Sequence, residues 1–154
     1  MGNYFNKDRT DVVAKGLGIP ASHHNNVAEY QLAGIPYVTS SQPAEVSATP
    51  IEVKFPRVSQ WVVVTNLGPH SADLRVGFTE AGVQSHETAN YFVISGTDSG
   101  AQNSTQKFDV RCNRIWLRRH GGISTSFSLI AGLTSVPEHH FFVLSASENF
   151  QGVG

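Results

Sequence analysis

The sequence predicts an all-β fold: an eight-stranded antiparallel sandwich preceded by an irregular N-terminal arm. Three observations carry that expectation. Valine occurs 17 times and leucine 8 times in the 154 residues, which favours strands, because β-branched side chains crowd a helix and suit a pleated surface. From Pro50 onward, short apolar runs are separated by turn-forming residues every 8 to 14 positions or so, the spacing of a sandwich or barrel. Charged residues make up 15% of the chain, against about 25% in typical soluble domains. Ser and Thr number 26 and Gly and Pro 21, a composition of polar turns and not of charged helix faces.

Residues 1–49 contain Gly16, Gly18, Pro20, Gly34, Pro36 and Pro43 among scattered apolar positions, with no sustained period of two or 3.6, and read as an arm, irregular or partly disordered, with a disordered tail over residues 1–25 as the alternative. Asp11 to Lys15 is a possible helical turn. Ile35-Pro-Tyr-Val38 is expected to lie extended along a neighbouring surface, since the residue before a proline is driven out of the α region. The sandwich domain is expected over residues 50–154. In its first run Ile51, Val53 and Phe55 share a face, and Pro56 forces a bend or an edge. Trp61-Val-Val-Val-Thr65 is continuously apolar, as in a central strand covered on both faces or buried at an interface, and Asn66-Leu-Gly-Pro69 ends it. The third stripe is Leu74, Val76 and Phe78 with Asp73 and Arg75 outward, and the fourth is Tyr91 to Ile94. Phe108 to Cys112 alternates. Arg114 to Arg118 places Ile115 and Leu117 inward and Trp116 outward. Phe127, Leu129 and Ala131 point inward in the seventh run, and His140 to Ser145 is the eighth, contributing Val143 to the core. Eight antiparallel strands with no helix between them form two four-stranded sheets, a single jelly roll. An immunoglobulin-like sandwich is the alternative, without its Cys-Trp-Cys hallmark.

The chemistry-bearing residues give no motif for catalysis or metal binding. Seven histidines include the pairs His23-His24 and His139-His140, but adjacent residues on a strand face opposite ways and no H-x-H spacing occurs. No metal ligand, cofactor site or catalytic residue is therefore assigned, and the chain is read as a non-enzyme. G-x-S-x-G is absent, and Gly16-Leu-Gly18 lacks the rest of a phosphate loop. The lone Cys112 sits inside an alternating run as core filler. Asn103-Ser-Thr105 reads as turn chemistry. The polar first ten residues lack a secretory core, no run approaches a membrane span, and Asn6 departs from the myristoylation pattern, so synthesis in the cytosol is expected. A net charge of -1 disfavours a globally electrostatic nucleic-acid binder.

The densest feature is Lys107 to His120, which holds five of the eleven Lys and Arg residues. Arg111, Arg114, Trp116 and Arg118 are expected on one outward surface, the composition of an interface anchor. Acidic loop residues Glu80, Glu87 and Asp98 are the expected opposite side of a subunit contact. The alternative is a solvated edge with internal ion pairs.

Phe55-Pro-Arg-Val-Ser-Gln-Trp-Val-Val-Val-Thr-Asn66, then Leu74-Arg-Val-Gly-Phe78, Asn90-Tyr-Phe92, Val110-Arg-Cys112 and Leu129-Ile-Ala-Gly-Leu-Thr134, resemble the single jelly-roll capsid proteins of large icosahedral DNA viruses. That family includes the penton proteins that fill fivefold vertices among double jelly-roll major capsid proteins. The resemblance implies a structural virion protein made in the host cytoplasm and forming a homopentamer. It further implies contact with neighbouring major and minor capsid proteins through residues 1–49. A carbohydrate-binding sandwich module, stacking sugars on Trp61 or Trp116, or another virion attachment or decoration protein, is the alternative.

Overall fold

The structure, a computed structural model, describes residues 34–42, 45–84, 90–97, 103–104, 107–144 and 152–153. In chain order these form β1 (Ile35–Ser40), β2 (Ile51–Lys54), β3 (Arg57–Asn66), β4 (Leu74–Gly77), the short helix α1 (Glu80–Gln84), β5 (Tyr91–Ile94), β6 (Asn103–Ser104), β7 (Arg114–Arg119) and β8 (Phe127–Pro137). A 3₁₀ turn, Glu138–His140, follows. Seven of the strands have four residues or more, whereas β6 is a two-residue pairing. One sheet has the order β1-β8-β3-β6 and the other β2-β7-β4-β5. Every pairing is antiparallel, and β1 pairs with β8, β2 with β7, β3 with β6 and β4 with β5. The chain is thus one long hairpin folded over, with β3·β8 closing the first sheet and β4·β7 the second.

The period-two pattern puts one face of each sheet into the core. Val62 and Val64 of β3 and Leu129, Ala131 and Leu133 of β8 meet Val53, Phe55, Leu74, Val76, Ile115 and Leu117 across the sandwich, an apolar layer of the kind that dominates folding free energy. Phe127 joins them, and Phe78 is partly buried against them. Val58, Val136 and Phe141 make a second, smaller cluster. Beside β5, Gly96 permits a close approach: a Cβ there would stand 1.8 Å from the Pro69 carbonyl oxygen, so the turn after Asn66 can pack against the end of β5 only with glycine.

Several expectations are corrected. Part of the stretch read as an arm belongs to the sandwich: β1 pairs with β8 along its whole length, and Val46 is fully buried. Tyr37 faces inward against Phe55, ring centroids 5.1 Å apart, and that contact draws the segment in. Phe108 to Cys112 makes only an isolated bridge, Phe108 with Val62, as it crosses between sheets. His140 to Ser145 forms no strand over its described residues. Phe141 anchors the second cluster there, and Val143 is 66% exposed instead of lying in the core. On β3 only the Val62–Val64 face is buried, while Trp61 and Val63 stay half-buried. α1, between β4 and β5, was not expected.

Cys112 is core filler, buried beside Ser59 with Sγ 3.3 Å from Oγ. Burial pushes its thiol up from 9.0 to about 11, against the smaller lowering by Ser59 and by the backbone at Arg114. Between those values the unfolded chain has released a proton that the folded chain holds. Stability contributed by this thiol is therefore complete below pH 9 and falls as pH rises toward 11. Cys112→Ala is expected to flatten that alkaline slope relative to the parent in urea titrations at pH 8, 9, 10 and 11, and parallel slopes would refute it.

Candidate functional site

β7 carries the candidate surface. Its alternation sends Ile115 and Leu117 into the core and leaves Arg114, Trp116 and Arg118 on the outer face of the second sheet, as the sequence suggests. Arg114 Nη1 meets Glu52 Oε1 at 2.8 Å across the β2·β7 pair. Arg118 donates from Nε to the Ala48 carbonyl at 2.8 Å and from Nη1 to the Gln84 carbonyl at 3.1 Å. Arg119 donates to the Gly122 carbonyl, and Lys107 pairs with Asp109 in an exposed contact of 2.9 Å. The basic run is thus largely spent inside the subunit.

Arg75 departs furthest from expectation. It does point to the outer face, opposite Arg118 in the β4·β7 register, but it is 2% exposed. Its Nε donates to His120 Nδ1 at 3.1 Å, which puts the ring proton of a neutral His120 on Nε2, and its Nη1 donates to the Val83 carbonyl at 3.1 Å. The guanidinium stacks 4.3 Å from the Tyr91 ring centre, within cation–π range. The cause is α1. Thr79 caps it by accepting the Gly82 N–H at 3.0 Å, the helix lies over this face, and Arg75 and Arg118 supply donors to its last carbonyls. Thr79 followed by Glu80 is a helix-start signal, so the covering element was legible in principle.

Trp116 remains partly exposed. It lines a hollow of about 110 Å³ with Phe78, Glu80, Arg114, Val143 and Leu144. Glu80, expected across a subunit contact from Trp116, lies in the same hollow and accepts a hydrogen bond from Gln84 at 2.9 Å. Arg111 is exposed on the segment crossing between the sheets, not on a strand paired with β7. Glu87 and Asp98 lie outside the described residues, as do His23, His24 and His86. Val143 and Leu144 were missed as site residues because the sequence assigned them to a strand.

Among the described residues no cluster of three His, Cys, Asp or Glu could hold a metal ion, and no helix is long and apolar enough to cross a membrane. The molecule is an all-β protein of two antiparallel sheets, and the outer face of the second is hydrogen-bonded within the subunit beside a hollow walled by Phe78, Trp116, Val143 and Leu144 together with Thr79, Glu80, Asn113 and Arg114. No family model, curated protein or solved structure matches the chain.

Proposed function

We propose that this chain is a structural subunit of an icosahedral virus capsid, a single jelly roll that assembles as a homopentamer at a fivefold vertex. The observation that carries the reading is the pairing order. When an eight-stranded hairpin is folded into two sheets, first strand meets last, second meets seventh, third meets sixth and fourth meets fifth; this is the winding of a jelly roll. The order of β1 to β8, with β6 reduced to two residues, supports it. The step from fold to capsid draws on the resemblance of the phrases from Phe55 to Thr134, since a fold alone hosts many functions. The reading needs no catalytic group or cofactor, and residues ahead of β1 would reach neighbouring capsid proteins.

In a ring each copy presents two different surfaces. Arg114 and Arg118 are engaged internally, so the side we assign is the hollow walled by Trp116, Val143 and Leu144. Electron microscopy of the purified chain is expected to show fivefold rings. Trp116→Ala with Val143→Glu is expected to abolish them, leaving a folded protein with the parental circular dichroism, because it removes the aromatic anchor and sets a second carboxylate beside Glu80 in the hollow. Arg118 is kept because it fastens α1. Monomers that bind on a glycan array would replace this reading with the carbohydrate-binding one.

A further inference from the structure

We propose that the slot between α1 and the residue preceding β5 is a peptide-binding site, that Gly152-Val153 is the segment it recognises, and that copies of this chain exchange that segment. The Thr79 hydroxyl donates its proton to the Val153 carbonyl while accepting the Gly82 N–H at 3.0 Å. One side chain thus joins the start of α1 to a segment 74 positions away. A Cβ at Gly82 would stand 2.5 Å from the Val153 carbonyl oxygen and 3.1 Å from that of Asn90, so the slot is open only because position 82 has no side chain. Gly152 brings the segment in with φ at 90°, a left-handed backbone that a β-branched residue rarely adopts. It lies beside Gly77, Asn90, Tyr91 and Phe92 at the edge of a hollow of about 240 Å³. Recognition therefore asks for a glycine that makes the bend and a following carbonyl that meets the Thr79 hydroxyl.

Two features make a second copy the source. Among the described residues, the groups that hold the segment, the Thr79 hydroxyl and the gap at Gly82, belong to the folded body. The same segment of another copy finds identical contacts there, which is what makes exchange of an element between protomers cheap. The covalent connection is also longer than docking within one chain requires. Leu144 shares a hollow with Thr79, and Val153 is bonded to Thr79, so the chain departs from and returns to one residue. Val153 stands nine positions after Leu144, a connection that spans up to about 30 Å when extended, enough to cross onto an adjoining copy. A segment on so short a tether has an effective concentration on the order of 1 mM. Another copy at that concentration competes for the slot on equal terms, whereas at about 10 µM the chain's own segment wins roughly a hundredfold. None of this depends on the vertex reading.

The test uses the full chain and a fluorescein-labelled peptide of residues 145–154. Gly152→Val is expected to unseat the chain's own segment without disturbing the body, because a side chain at position 152 meets no atom within 4 Å and the strain is confined to the φ it must hold. In fluorescence anisotropy that variant is expected to bind the peptide at least about tenfold more tightly than the parent, whose slot is already filled. Gly152→Asn is expected to behave like the parent, since Asn tolerates positive φ. Adding Gly82→Ala to Gly152→Val is expected to abolish binding with the β spectrum retained, because the new methyl takes the gap. Exchange between whole copies is read by replacing Val153 with a diazirine amino acid, which keeps the carbonyl that Thr79 meets, and irradiating a mixture of light and ¹⁵N-labelled chains at about 1 mM. Mixed-isotope cross-links from position 153 to residues 79–84 or 90–91 are expected. Cross-links confined to one chain, or mixed-isotope cross-links that fall elsewhere on the body, would overturn the proposal. So would a peptide that fails to bind Gly152→Val, one that binds it no better than the parent, or one that still binds when Gly82→Ala is added.

Discussion

Asn66→Leu is expected to destabilise the protein by about 3 to 5 kcal/mol, close to the removal of a large core side chain. Asn66 ends β3 fully buried, and all its hydrogen-bonding capacity is used. Its Nδ2 donates to the carbonyls of Ala72 and Ile94 at 2.8 and 2.9 Å. Its Oδ1 accepts from the Gly68 N–H at 2.9 Å and the Thr125 hydroxyl at 2.6 Å. One amide therefore ties the first sheet to the turn after it, to the end of β5 in the second sheet, and to the approach to β8. Leucine keeps the volume but leaves two carbonyls and two donors facing an apolar group, each worth roughly 1 to 3 kcal/mol when left unpaired and buried. Asn66→Asp is the informative companion. It keeps both acceptor positions but sets a carboxylate against two carbonyls, so it is expected to be no more stable than the leucine variant at pH 7. It should recover as pH falls, because protonation replaces the charge with a donor. Urea unfolding at pH 7 and pH 4 measures both, and a loss below about 1 kcal/mol for Asn66→Leu would show that water or rearrangement takes over the amide's role.

Phe55→Ala is expected to cost about 3 to 5 kcal/mol, enough to lower the melting temperature by roughly 10 °C in a domain of this size. Phe55 follows β2, is fully buried, and holds its N–H on the Asn113 carbonyl at 2.9 Å. Its ring meets Tyr37 of β1 edge-on, at an interplanar angle of 76°. It thereby packs an edge strand of one sheet against the other sheet, and truncation leaves a cavity between two layers that are each stiffened by their own hydrogen-bond ladders. Phe55→Leu should lose about half as much. In a double-mutant cycle with Tyr37→Ala, a coupling of roughly 0.5 to 1.5 kcal/mol is expected for the ring pair. Additive losses would mean that β1 is held by its β8 ladder alone.

What the sequence by itself determined was which side chains alternate. Val53 with Phe55, Leu74 with Val76, Ile115 with Leu117, and Phe127 with Leu129 and Ala131 were all legible, because burying one face of a pleated strand imprints a period of two. The outward setting of Arg114, Trp116 and Arg118 follows from the same rule. β1 was not legible as a strand: Tyr37 is apolar on the inner face and Val38 on the outer, so the alternation that marks a half-buried strand is erased. Phe141 to Leu144 is uniformly apolar for a different reason, since Phe141 serves a local cluster while Phe142 and Val143 stay exposed. The tertiary structure alone decided what covers each outward face. Arg75 is buried although its strand position points outward, because α1 folds across the second sheet and offers the Val83 carbonyl to its guanidinium. Among the described residues no such element lies over Val38 and Ile130. Local pattern specifies the direction of a side chain, whereas its burial depends on segments distant in sequence that pack over it, and those meetings are settled only when the whole chain has closed its hydrogen bonds and its core.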